Sequence, residues 1–271
     1  MKFLKLLRPI NGIIASVSAM IPAFITHTKL TTIYLWAALA VFFITSFGNV
    51  LNDIFDIEID RINKPQRPLA KGEIKITYAG YTLVILLLLG LIFAAKCGKP
   101  IFLIAVFATL LLIAYSLYLK RIFIVNNFVI SLLGGLPFIV GGILANNIKS
   151  SLVPFGLAFL YHFGREILKD LEDKLGDAVY KVMTFATKLG VKIGSKIALY
   201  VFIGLVIFSI LPYIFWGYNI YYLLITLIGV DLPIILITIR ITRTRVGIDR
   251  LNQLIKLPII PALFALAIGS Y

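Results

Sequence analysis

The chain has 271 residues, of which 61% are hydrophobic and 14% charged, with a formal net charge of +14. An ordinary soluble domain is about 45–50% apolar and about 25% charged, so this apolar excess is too large for a soluble core to hide and excludes that class. In a membrane chain the basic balance points to loops held against an anionic leaflet rather than to nucleic acid, and the single cysteine, Cys97, excludes an internal disulfide.

Lys2, Lys5 and Arg8 precede an apolar run in the outline of a signal peptide. No convincing small-residue cleavage site follows, and similar runs fill the chain, so this stretch reads as the first span. A helical span needs roughly 17–25 mostly apolar residues. Nine stretches qualify: 10–27, 31–55, 76–95, 100–119, 122–144, 151–172, 194–216, 219–240 and 253–270. They are long, continuous and free of period-two alternation, which favours helices over a barrel. The expected fold is an all-α polytopic membrane bundle of nine transmembrane helices, forming one domain over 1–271. With the N-terminus in the cytoplasm, the outer loops hold only Lys29, Lys96, Lys99 and Lys149 of the 26 Lys and Arg. The positive-inside rule selects this orientation in the cell membrane.

Past the second span comes NVLNDIFDIEIDRINKPQRPLAKG, Asn49 to Gly72. Past the sixth comes REILKDLEDKLGD, Arg165 to Asp177. Asp53, Asp56 and Asp60 share the spacing D-x2-D-x3-D with Asp170, Asp173 and Asp177, 117 residues later. On a helix such offsets fall within about 60° of one face, so each patch is expected to be a ladder of carboxylates at a cytoplasmic helix end. Charged helix ends are common and usually solvated. Two ladders of one spacing and depth, each opposing the helix dipole and repelling itself, call instead for cations to hold them. Oxygen-only ligands suit Mg²⁺, which takes carboxylates together with substrate phosphates; the chain has no Cys/His cluster for zinc. Metals between facing ladders could neutralise a diphosphate leaving group, with Lys and Arg on the remaining oxygens. A bundle rich in Phe and Tyr suits an isoprenoid tail and an allylic cation.

These residues resemble the UbiA superfamily of intramembrane prenyltransferases. Asn52-Asp53-x2-Asp56-x3-Asp60 is similar to its first motif, Arg67-Pro68-Leu69 with Lys71-Gly72 to its continuation, Tyr115-Ser116 with Lys120-Arg121 to its YS…LKR segment, and Arg165 to Asp177 to its second motif. The resemblance implies nine spans with an active site at the cytoplasmic face and Mg²⁺-dependent transfer from a polyprenyl diphosphate. It places Asn52, Asp53, Asp56, Asp60, Asp170, Asp173 and Asp177 around metal and Arg67, Lys71, Lys120 and Arg121 on phosphate. Tyr115 is then a candidate for facing the cation, with an interfacial aromatic belt as the plainer reading. Asn49, Arg165 and Glu166 stand behind the ladders, Glu166 also as a possible base for the acceptor. REILKDLED is most similar to the archaeal branch that transfers geranylgeranyl to geranylgeranylglyceryl phosphate, so the partners implied are a polyprenyl diphosphate, a phosphoglycerol lipid and the bilayer. That branch usually carries Lys-Thr-Leu-Pro where this chain has Met183, Thr184, Phe185 and Ala186, and Lys181 is the expected substitute for the lost lysine.

His162 reads as a packing histidine, and Asp231, before Pro233, as either a functional intramembrane acid or a protonated group at a kink. GGLPFIVGG, Gly134 to Gly142, lacks a following Lys-Ser/Thr and reads as close helix packing or a kink. Three alternatives compete. An aromatic acceptor keeps the same chemistry. A cation-coupled transporter suits the repeat but expects its site at the midplane. A CDP-alcohol phosphatidyltransferase lacks its D-G-x2-A-R signature here.

Overall fold

The computed structural model describes residues 2–244 and 247–270, which contain helices and no strand. α1 (Lys2–Leu7) and α2 (Pro9–Ser18) meet at Arg8, and α3 (Ile21–Ile25) follows. α4 (Thr32–Phe55) hands over to the short α5 (Ile57–Asn63). α6 (Ile76–Lys96) and α7 (Lys99–Leu117) form a hairpin about Gly98, whose φ of +96° suits glycine alone. A 3₁₀ turn, Leu119–Arg121, leads into α8 (Val125–Leu144). α9 (Lys149–Glu172) hands over to α10 (Lys174–Val179) and α11 (Phe185–Lys188). α12 (Gly190–Phe215) and α13 (Ile220–Thr226) follow, then a π turn, Leu227–Asp231, α14 (Leu232–Thr244), α15 (Ile248–Leu254) and α16 (Ile259–Ile268).

Among the described residues, seven helical runs are long and apolar enough to cross a membrane. They match the expected spans from 31–55 to 122–144 and from 194–216 onward. The other two expected spans fall short of that measure for identifiable reasons. The stretch 10–27 is broken at Ala19–Met20 into α2 and α3. The stretch 151–172 is one helix of 24 residues, but its last two turns carry Arg165, Glu166, Lys169, Asp170 and Glu172.

α9 packs between α8 and α12. Glycine allows the close approach to α8: an added Cβ would stand 2.6 Å from the Phe155 ring at Gly135 and 2.7 Å from Ser151 Oγ at Gly142. The glycine run is thus a packing surface. α9 and α12 run antiparallel, with Leu171 against Gly194, Gly164 against Phe202 and Gly156 against Phe208. Tyr78, Tyr81, Ile85, Leu88 and Ile92, three to four residues apart on α6, are exposed. Such a stripe is a liability in water and the expected outer surface in lipid.

Candidate active site

The two acidic patches repeat in backbone as well as in sequence, and neither is a continuous helix. α4 ends at Phe55, and Asp56 is both its C-cap and the N-cap of α5. α9 ends at Glu172, and Asp173 has the same place before α10. Both junctions have similar geometry: φ −101° and ψ 10° at Asp56, φ −85° and ψ 4° at Asp173. The expectation of unbroken ladders is corrected here, and the reason is electrostatic. Three acids at the C-terminal end of one helix oppose its dipole and each other. A break at the middle acid puts the third, Asp60 or Asp177, in the first turn of a new helix, where negative charge is favoured.

The two repeats face one another and are tied directly. Asn63 Oδ1 accepts a hydrogen bond from the Gly176 backbone N–H at 2.8 Å. Lys64 Nζ donates to both Asp173 oxygens at 2.6 and 2.9 Å and stands 3.6 Å from Glu172. Between the repeats lies a cleft with about 540 Å³ of empty space. Asn52, Asp56, Asp60, Asn63 and Arg67 line one side. Lys169, Asp170, Asp173, Asp177 and Thr184 line the other, and Tyr115, Lys120 and Asn126 close it from the α7–α8 connection.

Cations hold most of the acids. Arg67 donates to Asp60 at 2.6 Å and to Asp53 at 3.2 Å, and Lys120 to Asp56. Asp170 accepts from the neutral Asn127 amide at 3.0 Å. Burial pushes the Asp60 carboxyl up to about 6, with neighbouring Asp56 and Asp53 adding to the rise and Arg67 opposing it. Burial and then Asp173 push Asp177 up to about 7. At both groups burial outweighs the nearby cations, Arg67 at Asp60 and Lys169 and Lys64 at Asp177.

Several expected residues stand elsewhere. Asp53 is buried and pairs with Arg8 and Arg67 rather than lining the cleft, because it points a sixth of a turn or more away from Asn52 and Asp56 toward α1 and α2. Asn49 donates to the Leu7 carbonyl at 3.2 Å and so anchors α1. Lys71 pairs with Glu73 at 2.7 Å on the surface, and Arg121 and Lys181 are exposed and outside the cleft. Glu166 is committed to Lys169 at 2.9 Å and Arg165 at 3.3 Å, which leaves the cleft lining to Lys169. Sequence reasoning missed Lys64, Asn63, Asn127 and Arg8. Asn63 had a signal, since it lies one turn beyond Asp60 on the same face.

Among the described residues no three acidic, His or Cys side chains converge on one point tightly enough to chelate an ion unaided. Magnesium does not require that, since it keeps several waters and binds one or two carboxylates plus phosphate oxygens. The donor set fits that pattern. All the cleft acids are carboxylates, and the buried Asn126 Oδ1 in the cleft wall has no hydrogen-bond partner among the described residues.

Facing carboxylates ringed by cations at one end of a bundle with membrane-spanning helices mark an integral membrane protein, and their donor chemistry is the kind that magnesium and a polyphosphate require. The model of the UbiA prenyltransferase family matches residues 13–250, and the chain belongs to that family. A digeranylgeranylglyceryl phosphate synthase of Methanococcus maripaludis is 34% identical over 277 residues, covering 99% of this chain and 98% of that protein. A solved structure of a digeranylgeranylglyceryl phosphate synthase is 34% identical, with TM-score 0.75, covering 99% and 97%. A UbiA homologue from Archaeoglobus fulgidus, solved with GPP and Mg²⁺, shares the fold at TM-score 0.64 and 18% identity, covering 98% and 99%.

Proposed function

We propose that this chain transfers a geranylgeranyl group from geranylgeranyl diphosphate to the free hydroxyl of geranylgeranylglyceryl phosphate, making an archaeal ether lipid, with Mg²⁺ as cofactor. One observation carries the reading: two copies of a D-x2-D-x3-D motif meet across one cation-ringed cleft. Likeness over nearly the whole chain to proteins named for this synthesis supports the choice of acceptor.

Asn52, Asp56 and Asp60 hold metal from one side, and Asp170, Asp173 and Asp177 from the other. Bound magnesium neutralises the diphosphate as it leaves. Arg67, Lys120 and Lys64 then turn from their carboxylates to phosphate oxygens, which keeps the cleft's charge balanced. Tyr115 presents its ring to the positive allylic carbon. The allylic carbon–oxygen bond to diphosphate breaks, the glycerol oxygen bonds to that carbon, and the hydroxyl proton passes to the released diphosphate or to water. The bundle crosses the membrane nine times, with the broken α2–α3 pair and the charged-ended α9 as the two further spans. Its N-terminus and its cleft face the cytoplasm, in keeping with the placement of the basic residues.

The test uses purified protein in detergent with Mg²⁺ and radiolabelled geranylgeranyl diphosphate. Geranylgeranylglyceryl phosphate and 4-hydroxybenzoate are offered in parallel, with EDTA controls. Label is expected in the glycerolipid alone and only with metal. Label in the aromatic acid would overturn the acceptor and keep the family chemistry.

A further inference from the structure

Deeper in the bundle lies a second, largely apolar cavity with about 710 Å³ of empty space, walled by α2, α8, α9, α12, α13, the π turn and α16. We propose that Asp231, with Ser209 and Thr226 beside it, sets the length of the polyprenyl chain this protein accepts. This rests on the prenyl-transfer reading above.

Position comes first. The face of α9 that lines the cavity, at Pro154, Ala158 and His162, continues in three- and four-residue steps through Glu166 to Lys169, Asp170 and Asp173 in the cleft. A tail attached to a diphosphate in the cleft is led down this face. Ser209 holds Asp231 and follows Phe208, which packs on Gly156. Gly156 is fourteen residues from Asp170 along α9, or about 21 Å at 1.5 Å per residue. That distance is comparable with the reach of an extended geranylgeranyl chain.

Polarity comes second. Asp231 is 3% exposed and lines the cavity. Its Oδ2 accepts from the Ser209 hydroxyl at 2.7 Å, and its Oδ1 has no hydrogen-bond partner among the described residues. Ser209 does not need the carboxyl, since its hydroxyl also lies 2.8 Å from the Val206 carbonyl. Tyr222 donates to the Ser209 carbonyl at 2.9 Å, extending the polar patch. The carboxyl sits on the π turn Leu227–Asp231, a kind of distortion frequent at functional sites. An acid with an open oxygen at this depth is expensive, and the hydrogen bond it accepts comes from a hydroxyl that has a second acceptor in the Val206 carbonyl. Its effect falls on a ligand. A chain ending short of Asp231 leaves that oxygen open to hydration. A longer chain presses methyl groups on it and closes it to hydration without supplying a hydrogen bond.

The test compares farnesyl, geranylgeranyl and geranylfarnesyl diphosphates at saturating acceptor and Mg²⁺, in the wild type, Asp231→Val and Asp231→Asn, with detergent melting curves for each. In the wild type, kcat/KM is expected to fall from geranylgeranyl to geranylfarnesyl. Asp231→Val should raise the geranylfarnesyl-to-geranylgeranyl ratio about tenfold, mainly through KM, since one stranded polar group is relieved. Asp231→Asn keeps a polar patch and should keep the wild-type ratio. If Asp231→Val does not survive purification, Thr226→Val should shift the ratio in the same direction. An unchanged ratio in the apolar variants, or a flat wild-type profile, overturns the proposal and leaves the prenyl-transfer reading standing. No transfer by the wild type from any donor removes that reading, and this proposal with it.

Discussion

Gly176→Ala removes no charge, no acid and no candidate ligand, yet it is expected to damage the site. The added Cβ would lie 2.6 Å from Asn63 Nδ2 and 2.7 Å from Asn63 Oδ1. Asn63 cannot simply swing aside, because its Oδ1 holds the Gly176 N–H at 2.8 Å and ties α5 to α10. Forced overlap of this kind costs about 1–3 kcal/mol, and the broken hydrogen bond about 1 kcal/mol. Alanine's better helix propensity returns about 0.5–1 kcal/mol. A net loss of about 1–3 kcal/mol follows, together with a shift of one repeat against the other. Misplacement by about 1 Å can cost about 10²-fold in rate. The assay is a double-mutant cycle with Asn63→Ala, read by melting in detergent and by Mg²⁺-dependent transfer. Gly176→Ala alone should melt lower and turn over about 10–100-fold more slowly. In the double variant the clash is gone, so the two losses should fall short of additivity by about 1–2 kcal/mol. A Gly176→Ala protein with wild-type melting and turnover would refute the idea that this contact sets the distance between the repeats.

Asp56→Ala and Asp173→Ala should each abolish transfer while the bundle remains folded, as judged by melting and gel filtration; normal turnover in either would remove the paired site. Lys120→Gln should raise the donor KM, since Lys120 meets Asp56 inside the cleft, whereas Lys181→Ala should leave it unchanged, because Lys181 is exposed and away from the cleft. Acid pH should weaken metal binding. Asp60 and Asp177 keep their protons up to about 6 and about 7, and magnesium needs the charged forms. The Mg²⁺ concentration for half-maximal activity should therefore rise as pH falls from about 8 to about 6. Without metal the folded protein holds these protons more tightly than the unfolded chain, so stability is lost as pH rises from about 4, the ordinary carboxylate value, to about 7. Mg²⁺ should raise the melting temperature more at pH 8 than at pH 6, and an equal rise at both would contradict the assignment.

Much of this was legible in the sequence because it depends on periodicity and repetition. Apolar run length located seven spans by residue number, and the 117-residue repeat located both sides of the cleft. Asn52, Asp56, Asp60, Asp170, Asp173 and Asp177 all reach that cleft, as do Arg67, Tyr115 and Lys120. What could not be read was which cation meets which acid. Lys64, Arg67 and Lys71 follow one another at three and four residues, but one crosses to Asp173, one turns back to Asp60 and one stays at the surface with Glu73. The difference is set by the path of an irregular loop, for which periodicity has no signal. The breaks at Asp56 and Asp173 were also hidden, since a helical spacing of side chains survives one non-helical residue between two helices.

The paired motifs have unequal fates at their first acid. Asp53 pairs with Arg8 and Arg67, whereas among the described residues the hydrogen-bond donor to Asp170 is the neutral amide of Asn127. A cleft with equal charge on its two flanks could receive a diphosphate in either direction. The lining itself is uneven, with Asp56 and Asp60 beside Arg67 on one flank and Asp170, Asp173 and Asp177 beside Lys169 on the other, so the cleft has a polarity. The more highly charged terminal phosphate and the ester-linked phosphate are not interchangeable in it. The uneven flanks thus favour a single direction of entry for a charged head group.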